Sequence, residues 1–143
     1  MKRHISLQPL SREHHSALLL AQLLRNDAPD YPGLPADTDG KARYATNFFN
    51  ETLQLHFEKE ETIFNQCKGL MLDLDTMIDE TIAEHHLLKQ LFNELNTPYA
   101  NSNQLNSLGL LLNRHIRKEE RVLFPLLEQN CPAALLEQFR LLF

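Results

Sequence analysis

Apolar residues recur every three or four positions along most of this chain, which is the spacing that lines one face of an α-helix. The pattern predicts four long helices followed by a short C-terminal one. Their approximate ranges are 9–25, 41–67, 72–96, 104–128 and 133–143. The chain has only four glycines and sustains this helical periodicity, so we expect an all-α protein.

Polar residues and prolines indicate where these helices begin and end. Thr38 or Asp39 is expected to cap the second helix, and Ser102 or Asn103 to cap the fourth. Pro125 falls inside the fourth helical pattern and cannot donate a backbone hydrogen bond. A kink or the end of the helix is therefore expected at that position.

The segments between the helices predict how the helices are arranged. Residues 26–40 hold three prolines and four aspartates, which is typical of a loop, and a long one for a compact domain. Segments 68–71 and 97–102 are short enough to make their flanking helices neighbours. We therefore expect one domain over residues 1–143, an antiparallel up-down four-helix bundle with a short C-terminal helix.

Two copies of one phrase interrupt the apolar faces of the second and fourth helices. HFEKEE begins at His56 and HIRKEE begins at His115, and each has a Glu four residues after its His. On a helix such residues share a face, one turn apart. The predicted inward faces read Phe49, Leu53, His56, Glu60, Ile63 and Cys67 on the second helix, and Leu108, Leu112, His115, Glu119, Val122 and Leu126 on the fourth.

The first and third helices each carry the triplet Glu-His-His, at residues 13–15 and 84–86. The same spacing test places His14 and His85 on apolar faces. It places His15 and His86 nearer the boundary with solvent. The first histidine of each triplet, directly after the Glu, is therefore predicted to point inward.

Four imidazoles and two carboxylates are thus predicted to meet inside the bundle. A single inward His is ordinarily a hydrogen-bonded core residue, and a His–Glu pair one turn apart is also common on surfaces. Here the surrounding faces are apolar and supply no Lys or Arg, while burying two unpaired carboxylates would cost several kcal/mol each. Metal cations are the simplest compensation. The candidate metal ligands are His14, His56, Glu60, His85, His115 and Glu119.

Composition narrows the functional classes. A net charge of −5 argues against a nucleic-acid partner, and no apolar run reaches the length of a membrane-spanning helix. Nothing marks the chain for export, so a cytoplasmic location is expected. Cys67 and Cys131 could pair, but two cysteines define no disulfide framework. Each is predicted to be a small buried apolar residue rather than a metal ligand.

The pattern over roughly residues 10–128 resembles the hemerythrin-like (HHE cation-binding) family of four-helix bundles with a non-haem diiron centre. The resemblance rests on Glu13-His14, HFEKEETIF, Glu84-His85 and HIRKEERVLFP. It implies that His14 and His56 ligate one metal, and that His85 and His115 ligate the other. It also implies that Glu60 and Glu119 bridge the two metals.

One departure from the family pattern is informative. Oxygen-carrying members have a further His one turn after the third-helix ligand, where this chain has Lys89. Without that imidazole, one coordination position is open to water, to substrate, or to a neighbour such as His86 or His15. A more open and less nitrogen-rich site is expected to hold metal less tightly and to react more readily.

The resemblance implies two metal ions, with iron favoured and zinc or manganese as alternatives. We expect a metal-binding protein that binds O₂, NO or iron for sensing, buffering or delivery. The alternative is a redox or stress-response enzyme that acts on peroxide or NO, or in iron-centre repair, and a purely structural bundle ranks third. The sequence leaves open whether the protein is an enzyme. The C-terminal tail, through Leu135, Leu136, Phe139, Leu142 and Phe143, is expected either to pack on the bundle or to form a homodimer contact.

Overall fold

A computed structural model describes residues 3–142. The first and third long helices are α1 and α4, whereas the second and fourth are each built from two α-helices joined by a five-residue π-helical segment. The α-helices are α1 (Gln8–Leu23), α2 (Thr38–Phe48), α3 (Gln54–Cys67), α4 (Leu72–Glu94), α5 (Ser102–Lys118), α6 (Phe124–Asn130) and α7 (Ala133–Phe139); the π segments are Phe49–Leu53 and Glu119–Leu123, and a 3₁₀ turn spans Arg140–Leu142.

Four helical rods pack around a common centre, which confirms the predicted all-α bundle. Helix α5 packs on both α1 and α4, while α3 packs on α4 and α1. Helices α1 and α5 approach closely at Gly109, where a β-carbon would lie only 2.6 Å from the carbonyl oxygen of Ala21. The absence of a side chain at Gly109 thus permits this approach. Within residues 3–142, no helix is both long and apolar enough to cross a membrane.

The helix caps lie one or two residues before the predicted positions. The side chain of Asp37 accepts a hydrogen bond from the Gly40 amide at 3.2 Å and so caps α2. Asn101 caps α5 in a reciprocal capping box with Gln104, each side chain bonding the other's backbone amide at 3.0 Å. The predictions of Thr38 or Asp39, and of Ser102 or Asn103, were wrong because several adjacent polar residues could have served.

The π segment Glu119–Leu123 overturns the predicted inward face beyond Glu119. Val122 is 41% exposed, whereas Leu123 is fully buried, and Leu127 is buried more deeply than Leu126. A π turn contains one extra residue, so it rotates all the following side chains relative to a regular α-helix. Pro125 lies in the first turn of α6, where its missing amide hydrogen is tolerated. The irregularity that the sequence predicted near Pro125 is therefore the π segment Glu119–Leu123, which lies just before the proline.

Two apolar clusters fill the core, and a polar layer separates them. The first is centred on Phe49, Phe92 and Leu112, and the second on Ile63, Phe64 and Phe124. Helix α7 joins the second cluster, since Leu136 and Phe139 are buried in it while Leu142 is largely exposed. The tail thus packs on its own bundle through α7; Phe143 lies outside the described residues.

Candidate metal centre

All six predicted ligands lie together in the polar layer, and all are buried. They form two overlapping groups in which the donor atoms lie within 4.8 Å of one another. One group is His14, His56, Glu60 and Glu119; the other is His85, His115, Glu60 and Glu119. The structure thus pairs the histidines as the family resemblance implied, with both carboxylates common to the two groups.

Each shared carboxylate directs one oxygen toward each histidine pair. Glu60 Oε2 lies 3.2 Å from Nε2 of both His14 and His56, while its Oε1 lies 3.1 Å from His85 Nε2. The two oxygens of Glu119 also face different histidine pairs. Its Oε2 lies 3.4 Å from His14 Nε2, and its Oε1 contacts Nε2 of His85 and of His115. A carboxylate with its two oxygens facing two separate sets of nitrogens has the geometry to bridge two cations.

The outward-facing Nδ1 atoms of the four histidines each approach a half-buried carboxylate from a neighbouring helix. Such a partner fixes the tautomer, so that Nε2 is left free for the interior. The four pairs form a closed ring around the bundle, from α1 to α3, α4, α5 and back to α1. They are Glu13–His56 at 3.5 Å, Glu61–His85 at 3.0 Å, Glu84–His115 at 2.7 Å and Glu120–His14 at 2.7 Å.

The two Glu-His-His triplets and the two repeated phrases contain five glutamates besides Glu60 and Glu119, and four of these five approach an imidazole. The fifth, Glu58, is exposed. Sequence spacing did not reveal which carboxylate would meet which histidine. Each pair joins two helices, so their relative rotation in the bundle decides the partner.

Arg3 contacts the ring of carboxylates in a way that the sequence pattern did not reveal. Its guanidinium donates to the Glu120 backbone oxygen at 2.7 Å and to Glu120 Oε2 at 3.0 Å. It also bonds Glu128 and lies 5.4 Å from the centre of the Phe124 ring. Arg3 thereby holds the carboxylate that orients His14. Nothing in the local pattern marks it, because its partners lie more than 115 residues away.

The polar atoms at the centre of this layer fit a metal site. Nε2 of His56, His85 and His115, Oε1 of Glu60 and both oxygens of Glu119 are buried without a hydrogen bond of good geometry. Leaving such atoms unsatisfied is costly. The buried polar side chains within residues 3–142 include no Lys or Arg. Imidazole nitrogen and carboxylate oxygen are the donors that iron, manganese and zinc accept.

Without a cation, the histidines and carboxylates compensate one another through protons. Burial lowers the pKa of His56, but the charge of Glu60 and the contact with Glu13 outweigh it and raise the pKa to about 9. Burial likewise opposes protonation of His14 and His85, yet the surrounding carboxylates raise both pKa values well above the ordinary range. Burial raises the pKa of Glu119, and the nearby histidines reverse that effect and lower it well below its usual value. Metal ions would therefore have to displace protons from the imidazoles.

The two histidine pairs have different surroundings. Phe124 stacks against His14 with ring centres 5.5 Å apart, whereas Phe57 stacks against His85 at 4.0 Å. A cavity of about 160 Å³ reaches His85, and its lining includes Phe57 and Lys89. Lys89 is the position at which the family resemblance places a further imidazole in oxygen carriers, so the cavity lies beside that position.

The two remaining histidines of the Glu-His-His triplets do not join the centre. His15 and His86 are exposed, as the spacing predicted. Neither belongs to the ligand groups found within residues 3–142. His86 nevertheless lines the cavity beside His85.

A helical bundle that buries four imidazoles around two shared carboxylates defines a class of metal-binding four-helix-bundle proteins. Comparison with known families makes the assignment specific: the profile of the hemerythrin HHE cation binding domain matches residues 6–127. The chain belongs to this family, and its predicted cation-binding character is confirmed at that level. Searches of curated proteins and of solved structures gave no significant match.

Proposed function

We propose that this protein binds two metal ions in its polar layer, with iron as the native metal. The protein would either bind O₂ or NO at these ions or hold the iron itself, for sensing, buffering or delivery. The observation that carries the proposal is that the two oxygens of each shared carboxylate face different histidine pairs. Glu60 and Glu119 each offer one oxygen to each side. A site for a single ion would not need that arrangement.

Charge also favours two cations over one. Six carboxylates contact the four imidazoles, and with neutral histidines they would carry six negative charges. Lys118 and Arg3 offset part of this charge, through contacts with Glu84 at 3.6 Å and Glu120 at 3.0 Å. Two divalent cations supply four positive charges inside the layer, where burying unpaired carboxylates is most costly.

The residues around the donors would hold them in one arrangement and limit access to them. Three outer carboxylates, Glu120, Glu61 and Glu84, hydrogen-bond Nδ1 of His14, His85 and His115 and would keep these rings in place, while Glu13 lies 3.5 Å from His56 Nδ1. Phe57 and Phe124 would exclude bulk water from His85 and His14. Paired iron ions would supply reversible binding or reduction of O₂ or NO. The cavity beside His85 is suited to a molecule of that size.

The same cavity supports a second candidate, a redox enzyme that acts on peroxide or NO. An open coordination position next to a solvent-connected cavity allows a substrate to enter and a product to leave. Binding and turnover differ in one observable. A carrier or sensor returns its ligand unchanged, whereas an enzyme consumes it repeatedly.

Metal analysis combined with anaerobic spectroscopy tests both candidates. Purified protein would be stripped with a chelator, titrated anaerobically with Fe(II), and then exposed to O₂ or NO. We expect two iron ions per chain and a visible oxo-to-iron absorption band that changes with O₂. Steady consumption of peroxide or NO would favour the enzyme. Colourless protein that takes up no stoichiometric metal would refute both.

The ligand assignment has its own test in a double variant. Glu60→Ala with Glu119→Ala removes both shared carboxylates and should abolish loading of the ion pair. Glu51→Ala with Glu58→Ala removes two exposed glutamates from the same rod and should load normally. Circular dichroism would verify that both proteins remain helical. Normal loading of the first variant would show that the assignment is wrong.

A further inference from the structure

The two cysteines meet in the core although 64 positions separate them along the chain. Cys67 is the last residue of α3, and Cys131 directly follows α6. Their sulfur atoms lie 2.7 Å apart, and both are free thiols. A disulfide bond is about 2.04 Å long, so these thiols are already close enough to join with little movement of either helix end.

The surroundings of the thiols are unlike those of the polar layer. Both sulfurs lie in the second apolar cluster, which also contains Phe64, Leu127 and Phe139. Neither cysteine belongs to the metal-ligand groups found within residues 3–142. The pair is therefore separate from the candidate metal centre, and its chemistry does not depend on the function proposed above.

The two thiols are not equivalent. Cys131 is 7% exposed and Cys67 is fully buried, so a small oxidant meets Cys131 first. The contact with the Cys67 sulfur lowers the pKa of Cys131, against the opposing effect of burial. The same contact, together with burial, raises the pKa of Cys67. The more accessible sulfur is thus also the better nucleophile.

Helix α7 follows Cys131 almost directly and packs in the same apolar cluster through Leu136 and Phe139. It has only seven residues, has Pro132 as an N-cap without a side-chain hydrogen bond, and is followed by an exposed 3₁₀ turn. A short helix held by few residues opens more readily than the long rods do. Brief opening of α7 would admit a molecule as small as hydrogen peroxide.

We propose that Cys67 and Cys131 form a redox-active thiol pair that closes to an intramolecular disulfide in the presence of hydrogen peroxide. The Cys131 thiolate attacks one peroxide oxygen and breaks the O–O bond; the hydroxide released takes up the thiol proton as water. The Cys67 sulfur then attacks the resulting Cys131 sulfenic acid, forms the S–S bond and releases a second water. Two thiols are oxidised by two electrons, and one peroxide is reduced to two waters.

The disulfide would tie the end of α3 to the junction between α6 and α7. Because the linked positions are far apart in sequence, the cross-link restricts the unfolded chain strongly. We therefore expect oxidation to raise the thermal unfolding midpoint by several degrees, and reduction with dithiothreitol to reverse that change. The metal-free chain should respond in the same way, which separates this inference from the metal-binding proposal.

The test treats the full-length protein with a small excess of hydrogen peroxide, both as purified and after chelator treatment. We expect the free-thiol count to fall from two to none, and a non-reducing peptide map to show residue 67 linked to residue 131. Persistence of two free thiols would overturn the proposal. So would disulfides that form only between molecules.

Single variants establish the order of the steps. Cys67→Ala should accumulate sulfenic acid at Cys131, detectable by dimedone labelling, whereas Cys131→Ala should leave Cys67 unmodified over the same time. Equal labelling of both variants would contradict the assigned order. Should either variant fail to fold, the rate of thiol loss in the wild-type chain still decides the main claim, because it needs no substitution.

Discussion

The two histidine pairs of the candidate metal centre come from the same sequence phrases, yet their surroundings differ. His14 is packed against Phe124, and its partner Glu120 is held by Arg3. His85 is packed against Phe57 but also borders a cavity of about 160 Å³. The candidate ligands are thus nearly symmetric, while a cavity borders the His85 side. We infer that the small ligand enters on this side, which we call the open side.

Removing one imidazole from either side should have the largest effect on metal loading. His85→Ala or His14→Ala each deletes a nitrogen donor from one group, so iron uptake should fall from two ions per chain to one or fewer. The matched controls are His86→Ala and His15→Ala, which change the exposed neighbour and should still load two ions. Metal analysis after anaerobic loading and gel filtration measures the difference. Full loading of His85→Ala would remove the basis for comparing the two sides.

Changing the pH should reveal how much the folding stability of the metal-free protein depends on protonation of its buried histidines. The pKa of His56 is raised from 6.5 to about 9 in the folded state. The stability that it contributes is therefore fully present below pH 6.5 and lost as the pH rises through 9, an effect on the order of 3 kcal/mol.

Chemical denaturation at pH 6 and at pH 9.5 checks this expectation. The metal-loaded protein provides the control, since cations replace the protons and its stability should fall much less over the same interval. An unchanged unfolding midpoint in the metal-free chain would show that the imidazoles are neutral throughout.

Removing the charge of an outer carboxylate should reduce iron binding less than removing a candidate ligand does. Glu120→Gln and Glu84→Gln keep the side-chain volume but remove the charge that orients His14 and His115. Each should weaken iron binding roughly 10–100-fold. Glu58→Gln should leave it nearly unchanged. Competition with a calibrated chelator measures all three, and equal affinities would show that the ring of carboxylates has no role in orienting the ligands.

Enlarging the cavity should produce the smallest effect, and one confined to the open side. Phe57→Leu removes part of the ring that covers His85, so NO should bind the iron-loaded protein severalfold faster. Phe124→Leu makes the same change beside His14 and should not alter that rate. Stopped-flow absorption gives both values. Equal acceleration by the two variants would show that the ligand does not enter through the His85 side.

The amount that could be predicted from sequence differs sharply between parts of the chain. The choice of His14 over His15 and of His85 over His86 was correct because helical periodicity is a local property, read from the apolar neighbours on one helix. The inward face beyond Glu119 was wrong from Val122 onward, because the π turn adds a residue there. Helical periodicity assumes 3.6 residues in every turn, and no residue pattern around that turn indicated the extra residue.

The sequence by itself determined the fold class, the inward direction of six candidate ligand side chains, and membership of a metal-binding family. These follow from apolar spacing and from residue types that cannot be buried without compensation. Tertiary structure alone decided which carboxylate meets which histidine, that Arg3 holds Glu120, and that Cys67 and Cys131 touch. Each of these contacts joins separate segments, and it depends on how the segments rotate and approach one another, which no repeat within a single helix encodes.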